Sequence, residues 1–314
     1  MTRVLIVGIG GQDGVYLARH LVDLGDQVWG TSRAVGTPSN LVRLDVADCV
    51  TLRRCDLQTA SALATVVEAA QPEEIYYLAA QSSVSQSFVS PSGAMSATVG
   101  FAHLLEVTRG SSVRILEASS IDCFGEAPAD RPITEETAFA PRSPYATAKI
   151  AQSTLARLAR DEAGGRFVAT AYLGNHESPL RDGRFVTRKI VDAARRIAEG
   201  STEILELGDV AVIRDWGWAP DYVAAMRAIL QHDRPDSFVI ATGRSEPLSY
   251  FVSRVFATFG LDWQLYVRAN VFPARPLEVR TQHVDPTKAA AELNWRAAHD
   301  IDAVAELLGV KSAD

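Results

Sequence analysis

The chain has 314 residues, 47% hydrophobic and 22% charged, which suits one large α/β unit or a main domain with a smaller lobe. Its formal charge of −7 gives no basic footprint for nucleic acid, so a polyanionic ligand must be met by local arginines and lysines. No apolar run of roughly 18 residues is present, so no membrane-spanning helix is expected.

The first residues, MTRVLIVGIGGQDG, superficially resemble a signal peptide, but the apolar run breaks into glycines and Gln-Asp within a few residues. Arg3 to Val7 reads as a first strand buried on both faces. Gly8, Gly11 and Gly14, with Gln12 and Asp13 between them, lead into helical apolar spacing from Val15. Strand, glycine turn and helix together form a phosphate cradle: glycine lets the backbone approach a pyrophosphate, and the helix N-terminus favours its charge. Gln27 to Thr31 is the second strand. It ends in Thr31-Ser32-Arg33 without the carboxylate that would hold a ribose 2′-hydroxyl, which favours NADP(H); the alternative is a solvated arginine. Strands are further expected at 51–55, 74–78, 114–118, 168–172 and 238–243. The third is followed by Asp56 and Leu57, placed to meet an adenine ring, and the fourth by the small Ala79 and Ala80. The three cysteines, Cys49, Cys55 and Cys123, have no metal-binding spacing and read as reduced thiols of a cytoplasmic protein; no metal is expected.

Strands alternating with helical stretches through residue 165 predict a doubly wound parallel sheet of the Rossmann type, whose ligands lie beyond the carboxyl ends of its strands. The fifth strand then delivers Ser120 and Asp122 to the mouth of the site. Tyr145 and Lys149 follow at i, i+4, so a helix carries both on one face. The expected roles are a hydrogen bond from Ser120 to a substrate oxygen, proton transfer by Tyr145, and a Lys149 ammonium that lowers the tyrosine pKa and holds the nicotinamide ribose. Beyond residue 173 the pattern departs from Rossmann repeats. Arg181, Lys189, Arg214 and Arg275 are candidates for diphosphate oxygens, although any one of them alone reads as a surface salt bridge. His176 is a lone histidine, a type more often structural than a ligand or base. Residues 1–172, with 236–243 returning to the sheet, are assigned to an NADP(H)-binding domain, and 173–314 mainly to a nucleotide-sugar-binding lobe.

Nearly end to end, the chain resembles the extended short-chain dehydrogenases, and most of all the GDP-mannose 4,6-dehydratase family. The strings that carry this are Gly11-Gln-Asp-Gly14, Leu78-Ala-Ala-Gln-Ser82, Pro141-Arg-Ser-Pro-Tyr145, Asn175-His-Glu-Ser-Pro179, Phe185-Val-Thr-Arg-Lys189, Arg214-Asp-Trp-Gly217 and Asp285-Pro-Thr-Lys288. The resemblance implies NADP(H), a GDP-hexose-type substrate and deoxysugar biosynthesis. It places Asn175, Lys189, Arg214, Arg275 and Glu278 on the nucleotide sugar, and Ser82 and Arg181 join them as substrate-binding candidates. A dimer surface is implied, by analogy only, on helices around 91–109 and 143–163.

Three departures fall near the chemistry. Where the family carries Thr-x-Glu, this chain has Ser120-Ile-Asp122, and the glutamate is the group expected to remove the C5 proton. Ser119-Ser120-Ile-Asp122 instead resembles the Ser-Ser-x-Asp string of 4-keto-6-deoxysugar reductases, and Asp209 stands where the dehydratases usually have asparagine. The segment after Arg33 is shorter than the family loop that reaches a neighbouring subunit, so a homodimer is expected, with a tetramer as the alternative. The resulting expectation is NADPH-dependent reduction of a 4-keto-6-deoxy sugar. The alternatives are a GDP-mannose 4,6-dehydratase using Asp122, an epimerase, and a non-catalytic NADP(H) sensor.

Overall fold

The computed structural model describes residues 1–33, 36–162, 164–272 and 277–311. Strands β1 (Arg3–Val7), β2 (Gln27–Ser32), β3 (Val50–Arg54), β4 (Glu74–Tyr77), β5 (Arg114–Ser120) and β6 (Val168–Leu173) alternate with helices. Three strands then leave the sheet, β7 (Asn175–Glu177), β8 (Leu205–Glu206) and β9 (Ile213–Trp218). The chain returns to it with β10 (Ser237–Ile240), before β11 (Ser245–Pro247) and β12 (Val267–Arg268). The main sheet has the order β10-β6-β5-β4-β1-β2-β3, and every pairing within it is parallel. This is the doubly wound Rossmann sheet, and its order reverses at β1, between β4 and β2.

Each central strand divides its side chains between two cores, because successive residues point to opposite faces. Val4 and Ile6 join Val15, Leu21, Tyr222 and Ile229 on one face. Leu5 and Val7 join Leu63, Phe101, Leu104 and Ala156 on the other. Burial on both faces explains why these strands read as continuous apolar runs rather than alternating ones.

The material after β6 builds its own core. Helices Val186–Ala198, Leu248–Thr258 and Ile301–Lys311 pack around Trp216 and Trp218 of β9. A small sheet, β11-β9-β7, joins it to the carboxyl end of the main sheet, since β7 starts two residues after β6 ends. Asp215 of β9 is fully buried and accepts from Thr242 N and Gly243 N at 2.9 and 2.8 Å, anchoring the turn after β10. Burial pushes its carboxyl up to about 6, against those hydrogen bonds. Among the described residues no helix is long and apolar enough to cross a membrane.

Candidate active site

The cradle at the end of β1 depends on two tight approaches. Gly8 has φ +95°, and a Cβ there would lie 2.9 Å from Ala79 N, so β1 and the end of β4 touch backbone to backbone. A Cβ on Gly14 would lie 2.6 Å from the Ile9 carbonyl oxygen, so helix Gln12–Asp23 can sit this close to the turn only with glycine there. Gly11 is the N-cap and offers no side chain, which leaves the first-turn amides for a ligand. These residues fit a pyrophosphate. Arg33 is exposed directly after Ser32, the last residue of β2. Asp56 accepts from Gln58 N at 3.1 Å, and Leu57 packs beneath helix Pro91–Val107 at Gly100. Ala79 is half-buried and Ala80 exposed.

Asp13 and His176, 163 residues apart, meet at the first turn of helix Gln12–Asp23. His176 Nε2 lies 2.9 Å from Asp13 Oδ1 and Nδ1 lies 2.7 Å from the Gly174 carbonyl oxygen. Both ring nitrogens therefore face acceptors, which the doubly protonated imidazolium satisfies. His176 is pushed up, with Asp13 outweighing the burial that opposes it. Asp13 is held at about 2 by His176, again against burial. Gln12 extends the link, donating to the His176 carbonyl at 3.1 Å and accepting from Ser178 Oγ at 2.8 Å. The sequence marks His176 but offers nothing that pairs it with Asp13.

Ser120, Asp122, Tyr145 and Lys149 converge on one cavity of about 730 Å³. Ser120 ends β5, and its Oγ accepts from Asp122 N at 3.2 Å, capping the short turn Ile121–Phe124. Ser143 caps helix Pro144–Asp161, its Oγ accepting from Ala146 N at 3.1 Å, and Pro144 occupies the first turn. That start sets Tyr145 at the cavity wall and Lys149 one turn on, against β5. Asp122 Oδ1 is only loosely held, 3.5 Å from Gln282 Nε2.

The expectation that Lys149 lowers the Tyr145 pKa is corrected here. Burial, reinforced by the Asp122 charge, pushes the phenol well above its usual range, and the nearby Ser120 hydroxyl only partly opposes this. The ammonium is engaged elsewhere: Nζ donates to the Ala118 carbonyl at 2.6 Å and to Gln152 Oε1 at 3.1 Å. It also lies 4.0 Å from Glu117 Oε1, a buried acid the sequence reading passed over. The i, i+4 spacing places both residues on one face but does not dictate where a long side chain points.

The same cavity is lined by Ser82, Asn175, Arg181, Lys189, Arg214 and Glu278. Two of the cations are already partnered. Arg181 pairs with Glu177 at 3.2 Å and lies over the Phe185 ring at 3.8 Å. Arg214 pairs with Glu278 at 3.5 Å and donates to the Ile213 carbonyl at 2.7 Å. Lys189 is exposed at the rim. So is Arg142, which the sequence reading did not single out although it precedes the Ser143 cap. Arg275 lies outside the described residues. Among the described residues no group of His, Cys, Asp and Glu is arranged to hold a metal ion.

The family model described as GDP-mannose 4,6 dehydratase matches residues 5–308. The chain belongs to the GDP-mannose 4,6-dehydratase family. GDP-mannose 4,6 dehydratase 2 of Arabidopsis thaliana is 38% identical over 307 residues, covering 93% of this chain and 82% of the relative. Among solved structures, dTDP-glucose 4,6-dehydratase (DesIV double mutant) of Streptomyces venezuelae, with NAD and DAU bound, superposes with TM-score 0.86 at 23% identity, covering 98% of this chain and 95% of that one. RMD of Pseudomonas aeruginosa complexed with NADPH gives TM-score 0.80 at 24% identity, covering 98% of both chains. At these identities the structural likenesses establish the fold alone, an α/β Rossmann type with a parallel central sheet. The family match supports dehydration over the expected keto-sugar reduction.

Proposed function

We propose that this protein is an NADP(H)-dependent 4,6-dehydratase of a GDP-hexose, with GDP-mannose as the first substrate to test. The observation that carries this is the family match across residues 5–308. Asp122, loosely held on the same cavity wall as Ser120 and Tyr145, would serve as the base for the C5 proton, one methylene shorter than the family's glutamate.

Gly8, Gly11, Gln12, Asp13 and Gly14 would hold the pyrophosphate of the cofactor, with Ala79 and Ala80 beside it. Asp56 and Leu57 would flank the adenine, and Ser32 and Arg33 the 2′-phosphate. The bound nicotinamide supplies a hydride acceptor and donor, so the reaction loses water without net redox change. The protein does the rest. Ser120 would donate a hydrogen bond to the C4 oxygen, and Tyr145, acting as phenolate, would take its proton. Asp122 would take the C5 proton, acidified by the C4 ketone, and deliver it to the C6 hydroxyl, which leaves as water; a proton equivalent to the one taken by Tyr145 returns to C5 when C6 is reduced. Lys149 keeps positive charge near the nicotinamide ribose. Ser82, Asn175, Arg181, Lys189, Arg214, Arg275 and Glu278 form the proposed nucleotide-sugar set. Within this reading the enzyme works as a cytoplasmic homodimer, paired through helices Pro91–Val107 and Pro144–Asp161.

A second reading, reduction of a 4-keto-6-deoxy sugar, is favoured by Tyr145 itself. A phenol held protonated by burial and by Asp122 is better suited to donating a proton than to taking one. Parallel incubations separate the two. Water loss from GDP-mannose with catalytic NADP⁺ supports the dehydratase. NADPH consumption with the 4-keto-6-deoxy product, and no reaction with GDP-mannose, would replace it with the reductase.

A further inference from the structure

Glu117 sits in the middle of β5, between β4 and β6, and is completely buried. A carboxyl group in this position needs a reason, because an isolated charge is costly in such a place. Its Oε2 accepts from Ser153 Oγ at 3.2 Å, while Oε1 has no hydrogen-bond partner. That bare oxygen is the atom 4.0 Å from Lys149 Nζ, and Lys149 is itself only 3% exposed. The two neutral acceptors of the ammonium, the Ala118 carbonyl and Gln152, satisfy hydrogen bonds but carry no charge. A buried lysine without a counter-charge tends to release its proton.

We propose that Glu117 is a positioning residue whose buried carboxylate keeps Lys149 charged and seated on the Ala118 carbonyl. This deepens the functional reading above and rests on it for the role of Lys149 in turnover. The charged and titratable groups around Glu117 are few. Lys149 and Tyr145 face it from helix Pro144–Asp161, Tyr77 from β4, Tyr172 from β6 and Cys123 from the turn after β5. Burial pushes Cys123 up to about 12 and drives all three phenols above their usual range, and none of the four can carry a positive charge. Lys149 is thus the cation that faces Glu117, and the Asp13 carboxylate of helix Gln12–Asp23 adds a weaker pull on the same ammonium. Burial places the Glu117 carboxyl at about 7 even with the opposing pull of Lys149, and burial lowers Lys149 in turn. The two therefore titrate as a coupled pair.

The composition makes this directly testable. The chain has four lysines, Lys149, Lys189, Lys288 and Lys311. Labelling with [ε-¹³C]lysine gives four signals, and Lys149→Met identifies the one that matters. In Glu117→Gln the Lys149 midpoint should fall by about one pH unit or more, roughly a tenfold loss of proton affinity, and Glu117→Asp should restore part of it. The alkaline limb of turnover should move the same way. An unchanged Lys149 midpoint in a folded Glu117→Gln protein would overturn the proposal. Should that variant not fold, the wild-type Lys149 signal should still sense a second titration near neutral pH, and its absence would overturn the proposal equally. A protein whose Lys149 midpoint moves but which turns over no nucleotide sugar would refute the functional reading and leave the pair intact.

Discussion

Replacing Asp13 by asparagine keeps the side-chain shape and removes the charge that meets His176. The Asp13 carboxyl is lowered from 3.8 to about 2. At 1.36 kcal/mol per pH unit, the pairing contributes roughly 2 kcal/mol at pH values where the carboxylate is ionised. Asp13 is one-quarter exposed and His176 almost fully buried, so solvent weakens the pair only modestly. The signs define a window. For a depressed carboxyl the stabilisation is present above pH 4 and disappears as pH falls towards 2. For His176, raised above 6.5, it is present below 6.5 and is lost as pH rises through the folded value. Urea denaturation of the wild type and Asp13→Asn should therefore differ by about 2 kcal/mol near pH 6 and converge as pH approaches 2. Equal stabilities at pH 6, or a gap that persists undiminished at the acid end, would refute the ion-pair account.

Tyr145→Phe should lower turnover by roughly 100-fold or more, the usual scale for a lost proton carrier, while NADPH fluorescence titration shows binding retained. Arg33→Ala should weaken NADPH by roughly tenfold or more and leave NADH little changed, since only the former carries a phosphate for the guanidinium. Asp122→Asn should abolish water loss from GDP-mannose, and Asp122→Glu should raise it, because the longer side chain reaches further towards C5. A displacement of about 1 Å at such a base can be worth roughly 100-fold, so steady-state rates suffice to see it.

Much of the fold was legible because the central strands are buried on both faces. Val4 to Val7 is an unbroken apolar run, and the strands of the main sheet begin within one residue and end within two of those expected, except β10, which ends at Ile240 rather than at 243. The small sheet β11-β9-β7 was not legible. β7 and β11 have three residues each and are polar, and they pair with β9, whose Trp216 and Trp218 pack against the surrounding helices. In the site, Ser120, Asp122, Tyr145 and Lys149 could be placed from strand ends and helical spacing. The partners of Lys149 could not, since its ammonium is directed by a carbonyl on a strand 31 residues earlier. Glu117 did leave a mark, a single acid inside an apolar strand, which two-sided burial makes meaningful. The Asp13–His176 contact left none, because no local pattern joins residues that meet only after the chain has crossed the sheet.

GDP-mannose carrying deuterium at C4, incubated with the protein and a trace of NADP⁺, separates the two chemistries. A 4,6-dehydratase moves the C4 hydrogen to C6 within one molecule. The predicted product is therefore lighter by one water, retains deuterium at C6 and forms with no accumulation of NADPH. An unreacted sugar nucleotide, together with NADPH consumption by the 4-keto-6-deoxy sugar, would contradict the dehydratase and establish the reductase in its place.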